Sequence, residues 1–171
     1  MLGNKFAPHT VVVWESTNQD TIMKARWIAA VALALLPVFS AHADASKQVF
    51  QTRDGAIRGY DAVAYHTEQK PVKGSKEYTF DYNGATWSFS SQENLELFSA
   101  DPARYAPAYG GYCAFGMSRG YAVDTDPRAF TVVDGTLYLN HNLSVRRTWS
   151  KDIPGNIAKA NANWPSVSAS L

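Results

Sequence analysis

The segment Glu77-Tyr78-Thr79-Phe80-Asp81-Tyr82-Asn83-Gly84-Ala85-Thr86-Trp87-Ser88-Phe89 reads as a β-hairpin closed by Asn83-Gly84. Both central residues of a type I′ turn need positive φ, which Asn and Gly accept most readily. A two-residue loop there opposes Tyr82 to Ala85, Phe80 to Trp87 and Tyr78 to Phe89. The rings then share one face, and Thr79, Asp81, Thr86 and Ser88 share the other. Turn chemistry and period-two alternation agree on one buried sheet face.

A second hairpin lies downstream in Phe130-Thr131-Val132-Val133-Asp134-Gly135-Thr136-Leu137-Tyr138-Leu139, turned at Asp134-Gly135. Phe130 opposes Leu139 and Val132 opposes Leu137, again on one apolar face. Each hairpin leads into a helix. Ser90-Ser91-Gln92-Glu93 has the form of a capping box, with Ser90 as N-cap and Glu93 reaching back. Leu95 and Phe98 then face the core, Asp101-Pro102 ends the helix, and a short turn covers Pro102 to Tyr105. Near the C-terminus, Val145, Trp149, Ile153 and Ile157 recur every four residues, an amphipathic stripe. Pro154 predicts a kink or a fresh helix start, with the proline in its first turn. Asp124 and Asp126-Pro127 read as a turn. The order strand, strand, helix, loop, strand, strand, helix predicts an α+β fold: two β-hairpins, each followed by a helix, in one compact domain.

Upstream of the hairpins, Met23-Lys24-Ala25-Arg26 precedes an apolar run from Trp27 to Phe39 and then Ala41-His42-Ala43. That order is a secretory signal peptide over residues 23–43, cleaved after Ala43. The run is shorter than the roughly 20 apolar residues that cross a bilayer. Residues 1–22 read either as a start-codon artefact, with translation beginning at Met23, or as an extended n-region. The expected working chain is therefore exported, periplasmic and free of a membrane span. Residues 44–58 are its lead-in, 59–165 its domain and 166–171 its tail. From residue 44 onward acidic and basic residues are equal in number, and the whole chain carries only +1. A balanced surface excludes a general nucleic-acid binder, which needs a basic face. Arg146-Arg147 is too short to form one.

Cys113 is the chain's one cysteine, set in Tyr109-Gly110-Gly111-Tyr112-Cys113-Ala114-Phe115-Gly116-Met117. Exported proteins normally pair their thiols in an oxidising compartment. A lone thiol there is reactive, bound to a metal, paired with another chain, or buried as a small hydrophobe.

Gly59-Tyr60-Asp61-Ala62-Val63-Ala64-Tyr65, the Asn-Gly-Ala-Thr-Trp hairpin at 83–87, Tyr109–Ala114 and Val133–Asn140 together resemble exported YHS-domain proteins of bacteria. Asp152-Ile153-Pro154-Gly155 and Asn163-Trp164-Pro165 extend the resemblance, which runs from about Gly59 to Pro165. It implies a compact α+β domain associated with heavy metals, with the cysteine as the suspected ligand. Such modules occur beside metal-transport ATPase domains, so a metal-transport or redox protein is the implied partner. Positions 66 and 141 are commonly aromatic in these proteins and 117 commonly aliphatic. Here they are His66, His141 and Met117.

A thiolate, a thioether and imidazoles suit copper, Cu(I) especially, with zinc next. The expected metal ligands are Cys113, Met117, His66 and His141. In that reading the chain handles or senses a transition metal. The alternative is a metal-free module that binds a ligand or a protein, with Cys113 in the core. Asp61 reads as an acceptor for nearby backbone N–H groups. No Cys-x-x-Cys, phosphate loop, His-Glu-x-x-His or paired-carboxylate motif occurs, and the chain is not expected to be an enzyme.

Overall fold

The computed structural model describes residues 49–171. The readings of residues 1–22 and 23–43, and the first part of the lead-in, lie outside the described residues. In chain order the elements are β1 (Gln51–Thr52), β2 (Gly55–Ala56), α1 (Ala64–Thr67), β3 (Ser75–Tyr82), β4 (Ala85–Phe89), α2 (Gln92–Ala100) and α3 (Pro102–Tyr105). They continue with α4 (Ala114–Met117), β5 (Asp126–Val133), β6 (Thr136–Asn140), α5 (Leu143–Trp149) and α6 (Ile153–Ser168). The strands form three separate antiparallel hairpins, β1–β2, β3–β4 and β5–β6. The fold is α+β, as the alternation of hairpins and helices requires.

Both long hairpins turn where the sequence places the turn. Asn83 and Gly84 have φ of 49° and 71°, and Asp134 and Gly135 have 49° and 76°. Tyr82 faces Ala85, Phe80 faces Trp87, Phe130 faces Leu139 and Val132 faces Leu137. The expected pairing of Tyr78 with Phe89 does not form. An irregularity between Ser75 and Thr79 shifts the register, and Ser75 takes the place opposite Phe89. A bulge adds a residue to one strand and so interrupts a two-residue count. A second irregularity lies between Asp126 and Phe130. Asp126 therefore opens strand β5 instead of forming the expected turn.

The face of β4 read as polar is also only partly so. Hairpin β1–β2 lies across it: Gly55, at φ +91°, sits where a Cβ would run into the Thr86 carbonyl oxygen. Ser88 is buried with Gly74 packed against it, while Thr86 stays exposed.

Helix α2 begins one residue later than the capping box predicts. Ser91 Oγ accepts from Asn94 N at 3.2 Å, which makes Ser91 the N-cap. Ser90 is engaged elsewhere: its N–H and Oγ donate to Asp61 Oδ2 at 2.8 and 2.7 Å. Phe98 is fully buried and Leu95 packs partly buried against the same core. Asp101 ends α2 and caps α3 through its side chain, with Pro102 in the first turn. The four-residue stripe near the C-terminus divides as Pro154 demands: α5 ends at Trp149 and α6 starts at Ile153. That helix runs through Ser168 with Pro165 inside it, so part of the segment read as a tail is helical.

Two apolar clusters meet at β6, because successive strand side chains point to opposite faces. Leu137 and Leu139 join Tyr65, Trp87, Phe89 and Phe98 on one side, and Tyr138 joins Tyr109, Met117 and Trp149 on the other. The motif Asn163-Trp164 docks α6 onto the second cluster. Asn163 Nδ2 donates to Met117 O at 3.0 Å, and the Trp164 ring lies 6.0 Å from that of Tyr109. Among the described residues no helix is long and apolar enough to cross a membrane.

Candidate functional site

Cys113 follows three successive residues in the left-handed region: Tyr109 at φ 56°, Gly110 at 59° and Gly111 at 84°. This tight turn delivers the chain to α4. Cys113 N donates to Val123 O at 2.9 Å, and the residue is only 1 % exposed. Its Sγ accepts from Gly116 N at 3.4 Å and from His141 N at 3.3 Å. The S–H lies 3.8 Å from Asn140 Oδ1, which also accepts from Phe115 N at 3.2 Å. The thiol thus joins the start of α4 to the end of β6, with backbone groups on the sulfur and no open face.

The expected ligand set does not assemble. Met117 is fully buried in the second cluster, where an unbranched thioether fills space between rings. His66 stands on α1 and packs edge-on against Tyr105, ring centroids 5.5 Å apart. No described contact joins it to Cys113, Met117 or His141. His141 meets Cys113 through its backbone only; its Nδ1 is 2.8 Å from Asp124 Oδ1. Among the described residues no group of three or more His, Cys, Asp or Glu side chains is placed to hold one ion. Cys113, Met117, His66 and His141 are thus not gathered at one point among the described residues. His66 packs on Tyr105 in the first cluster and Met117 lies in the second, on the other side of β6, while the His141 ring turns to Asp124.

Burial holds the His66 imidazole below its ordinary pKa, with Arg104 adding in the same direction and a hydrogen bond to the Tyr105 backbone opposing. The folded state consequently resists protonation that the unfolded chain accepts. That contribution to stability is present above the unfolded value, near 6.5, and is lost as pH falls through the lower folded one. His66→Phe is expected to flatten the fall in urea midpoint between pH 7 and pH 5, read by circular dichroism. An unchanged acid slope would remove His66 as its source.

Beside the Cys113 joint lies an open cleft of about 520 Å³ lined by Arg58, Tyr60, Asp124, Asp126, Arg128 and His141, together with Thr52, Asp54 and Lys73. Its walls are held by long-range bonds. Arg58 Nε donates to Thr125 O at 2.8 Å and Nη2 to Asp124 Oδ2 at 2.8 Å. Thr125, itself buried, donates its hydroxyl to Gly111 O at 2.9 Å. Arg128 forks onto Asp126, with Nη2 to Oδ2 at 2.7 Å. These bonds with Arg128 hold the Asp126 carboxyl below its ordinary range. Arg58 reaches the cleft from a strained turn in which Ile57 and Arg58 take φ of 49° and 56°. A β-branched residue there costs about 1–3 kcal/mol, and such strain concentrates at binding and active sites.

Of the expected site residues only His141 lines this cleft, with Cys113 directly behind its backbone. Arg58, Asp124, Asp126 and Arg128 escaped the sequence reading because their meeting depends on contacts some 66 residues apart. The nearest signal was Gly59-Tyr60-Asp61, whose glycine completes the left-handed turn carrying Arg58 at φ 73°.

Residues 63–109 match the family model of the YHS domain, so the chain carries a YHS domain. The match contains His66 and hairpin β3–β4 and ends before Cys113, Met117 and His141. No curated protein matches the chain, and no solved structure does.

Proposed function

We propose that this chain is an exported, non-catalytic binding module whose ligand-facing surface is the charged cleft at Arg58, Asp124 and His141. Cys113 is then a structural joint behind that surface. One observation carries the reading: the thiol is buried and its sulfur is surrounded by the N–H groups of Gly116 and His141 and the Asn140 amide. A thiol enclosed in this way is shielded from reagents in solution and already serves as an acceptor within the fold. The cleft supplies what a small-molecule site needs: a concavity within the roughly 300–1,000 Å³ range of ligand pockets, walls fixed by hydrogen bonds, and a few convergent polar groups. Handling of a transition metal, copper first, is the competing reading that the family resemblance favours.

An anaerobic Cu(I) titration of the full chain against a calibrated chelator, beside Cys113→Ala, separates the two. The expected result is equal and weak competition by both proteins, with a native thiol that reacts with an aromatic disulfide reagent only after unfolding. Stoichiometric Cu(I) binding lost in Cys113→Ala would overturn the proposal and restore the metal site.

A further inference from the structure

The geometry points to a ligand class for the cleft: a small oxyanion, carboxylate or phosphate, bound by Arg58, Arg128 and Tyr60. This rests on the cleft being the binding face. Its basis is an inventory of which polar groups there are already committed. Asp124 gives one oxygen to Arg58 Nη2 and the other to His141 Nδ1, both at 2.8 Å. Both oxygens of Asp126 are held by Arg128 through contacts of 2.7 to 3.2 Å. Asp54, also in the lining, gives one oxygen to Lys73 at 3.4 Å. The carboxylate oxygens of Asp124 and Asp126 are therefore satisfied within the fold, and Asp54 keeps one oxygen uncommitted.

The donors are not. Arg58 uses Nε on Thr125 O and Nη2 on Asp124, which leaves Nη1 without a partner among the described residues. Arg128 likewise commits Nε and Nη2 to Asp126 and leaves Nη1. The Tyr60 hydroxyl makes no described hydrogen bond. A ligand entering this cleft finds donors to satisfy and few acceptors. That is the complement of an oxyanion, which offers only acceptors and which guanidinium groups bind with charge assistance. The Arg58 guanidinium is also pre-positioned: two bonds hold it, and the strained Ile57-Arg58 turn fixes its origin.

The test is a titration of the ¹⁵N-labelled full chain with inorganic phosphate and, separately, with succinate, at constant ionic strength against chloride. Saturable shifts confined to the amides around Arg58, Thr125, Arg128 and His141 are expected with one or both oxyanions. Whichever binds more tightly identifies the source, tetrahedral phosphate or planar carboxylate. Arg128→Ala, on a side chain 70 % exposed, should weaken binding about tenfold without unfolding the domain, and Arg58→Ala by at least as much. Arg147→Ala on α5 should leave it unchanged. Shifts that fail to saturate, that chloride reproduces, or that survive in both cleft variants would overturn the assignment. The copper titration separates the failures. Absent oxyanion binding with equal, weak Cu(I) competition removes the ligand class alone, whereas Cys113-dependent Cu(I) binding removes the module reading beneath it.

Discussion

Asp61→Ala is expected to destabilise the domain by about 4 kcal/mol or more, enough to leave much of it unfolded at 37 °C. The Asp61 carboxylate is wholly buried and forms no ion pair among the described residues. It is held by donors instead: Oδ1 accepts from Val63 N at 2.8 Å and Ala64 N at 3.2 Å. Its Oδ2 accepts from Ser90 N, Ser90 Oγ and Asn94 Nδ2 at 2.7 to 2.8 Å. One side chain thus ties the start of α1 to the junction between β4 and α2. Alanine leaves several buried donors unsatisfied at once, and each costs about 1–3 kcal/mol. Asp61→Asn separates charge from shape. It can keep Oδ1 for α1 but turns an NH2 group toward the Ser90 and Asn94 donors. Asn94 and the Ser90 hydroxyl can reorient; the Ser90 backbone N–H cannot. A loss of about 2 kcal/mol is expected for the isostere. Urea unfolding followed by far-ultraviolet circular dichroism measures both, and an Asp61→Asn variant as stable as the parent would dismiss the donor-cage account.

Phe98→Ala should cost about 3–5 kcal/mol, the range for deleting a fully buried ring. Phe98 is the point at which α2 meets hairpin β3–β4. Its ring centroid lies 5.0 Å from those of Trp87 and Phe89, 5.9 Å from Tyr82 and 6.2 Å from Phe80. Removing it opens a cavity bounded by rings that are stiff and already interlocked, so collapse cannot recover much of the loss. Leu95→Ala on the same helix is the internal comparison. Leu95 is only partly buried against that cluster, and its truncation should cost clearly less. Differential scanning calorimetry, with near-ultraviolet dichroism reporting the ring cluster, distinguishes the two. Equal effects would mean that α2 contributes through helix propensity and not through the Phe98 contact.

Asp61 was legible as a backbone acceptor because it stands two and three residues before the N–H groups it receives, a local relation. Ser90 was not legible in its actual role, since the carboxylate that claims it lies 29 residues away. Losing Ser90 to Asp61 moved the cap to Ser91. Cys113 shows the same division. Its position between two hairpin units could be read, but its burial is decided by α4 folding back onto the end of β6. His141 could be placed after the second hairpin, whereas the turning of its ring onto Asp124 needed the 121–126 loop to be stitched to Gly111 and Arg58.

Local chemistry in this chain therefore settled the α+β class, both long hairpin turns, the break at Pro154 and the central pairs of each ladder. Such features depend on φ preferences and on side-chain alternation within a few residues. Tertiary packing alone decided the bulges, the cover of β1–β2 over β4, the placing of His66 away from Cys113 and Met117, and the assembly of the charged cleft. Those outcomes arise from competition for buried hydrogen-bond partners and for space around β6. The competitors lie dozens of residues apart, where no periodicity in the sequence records which of them will meet.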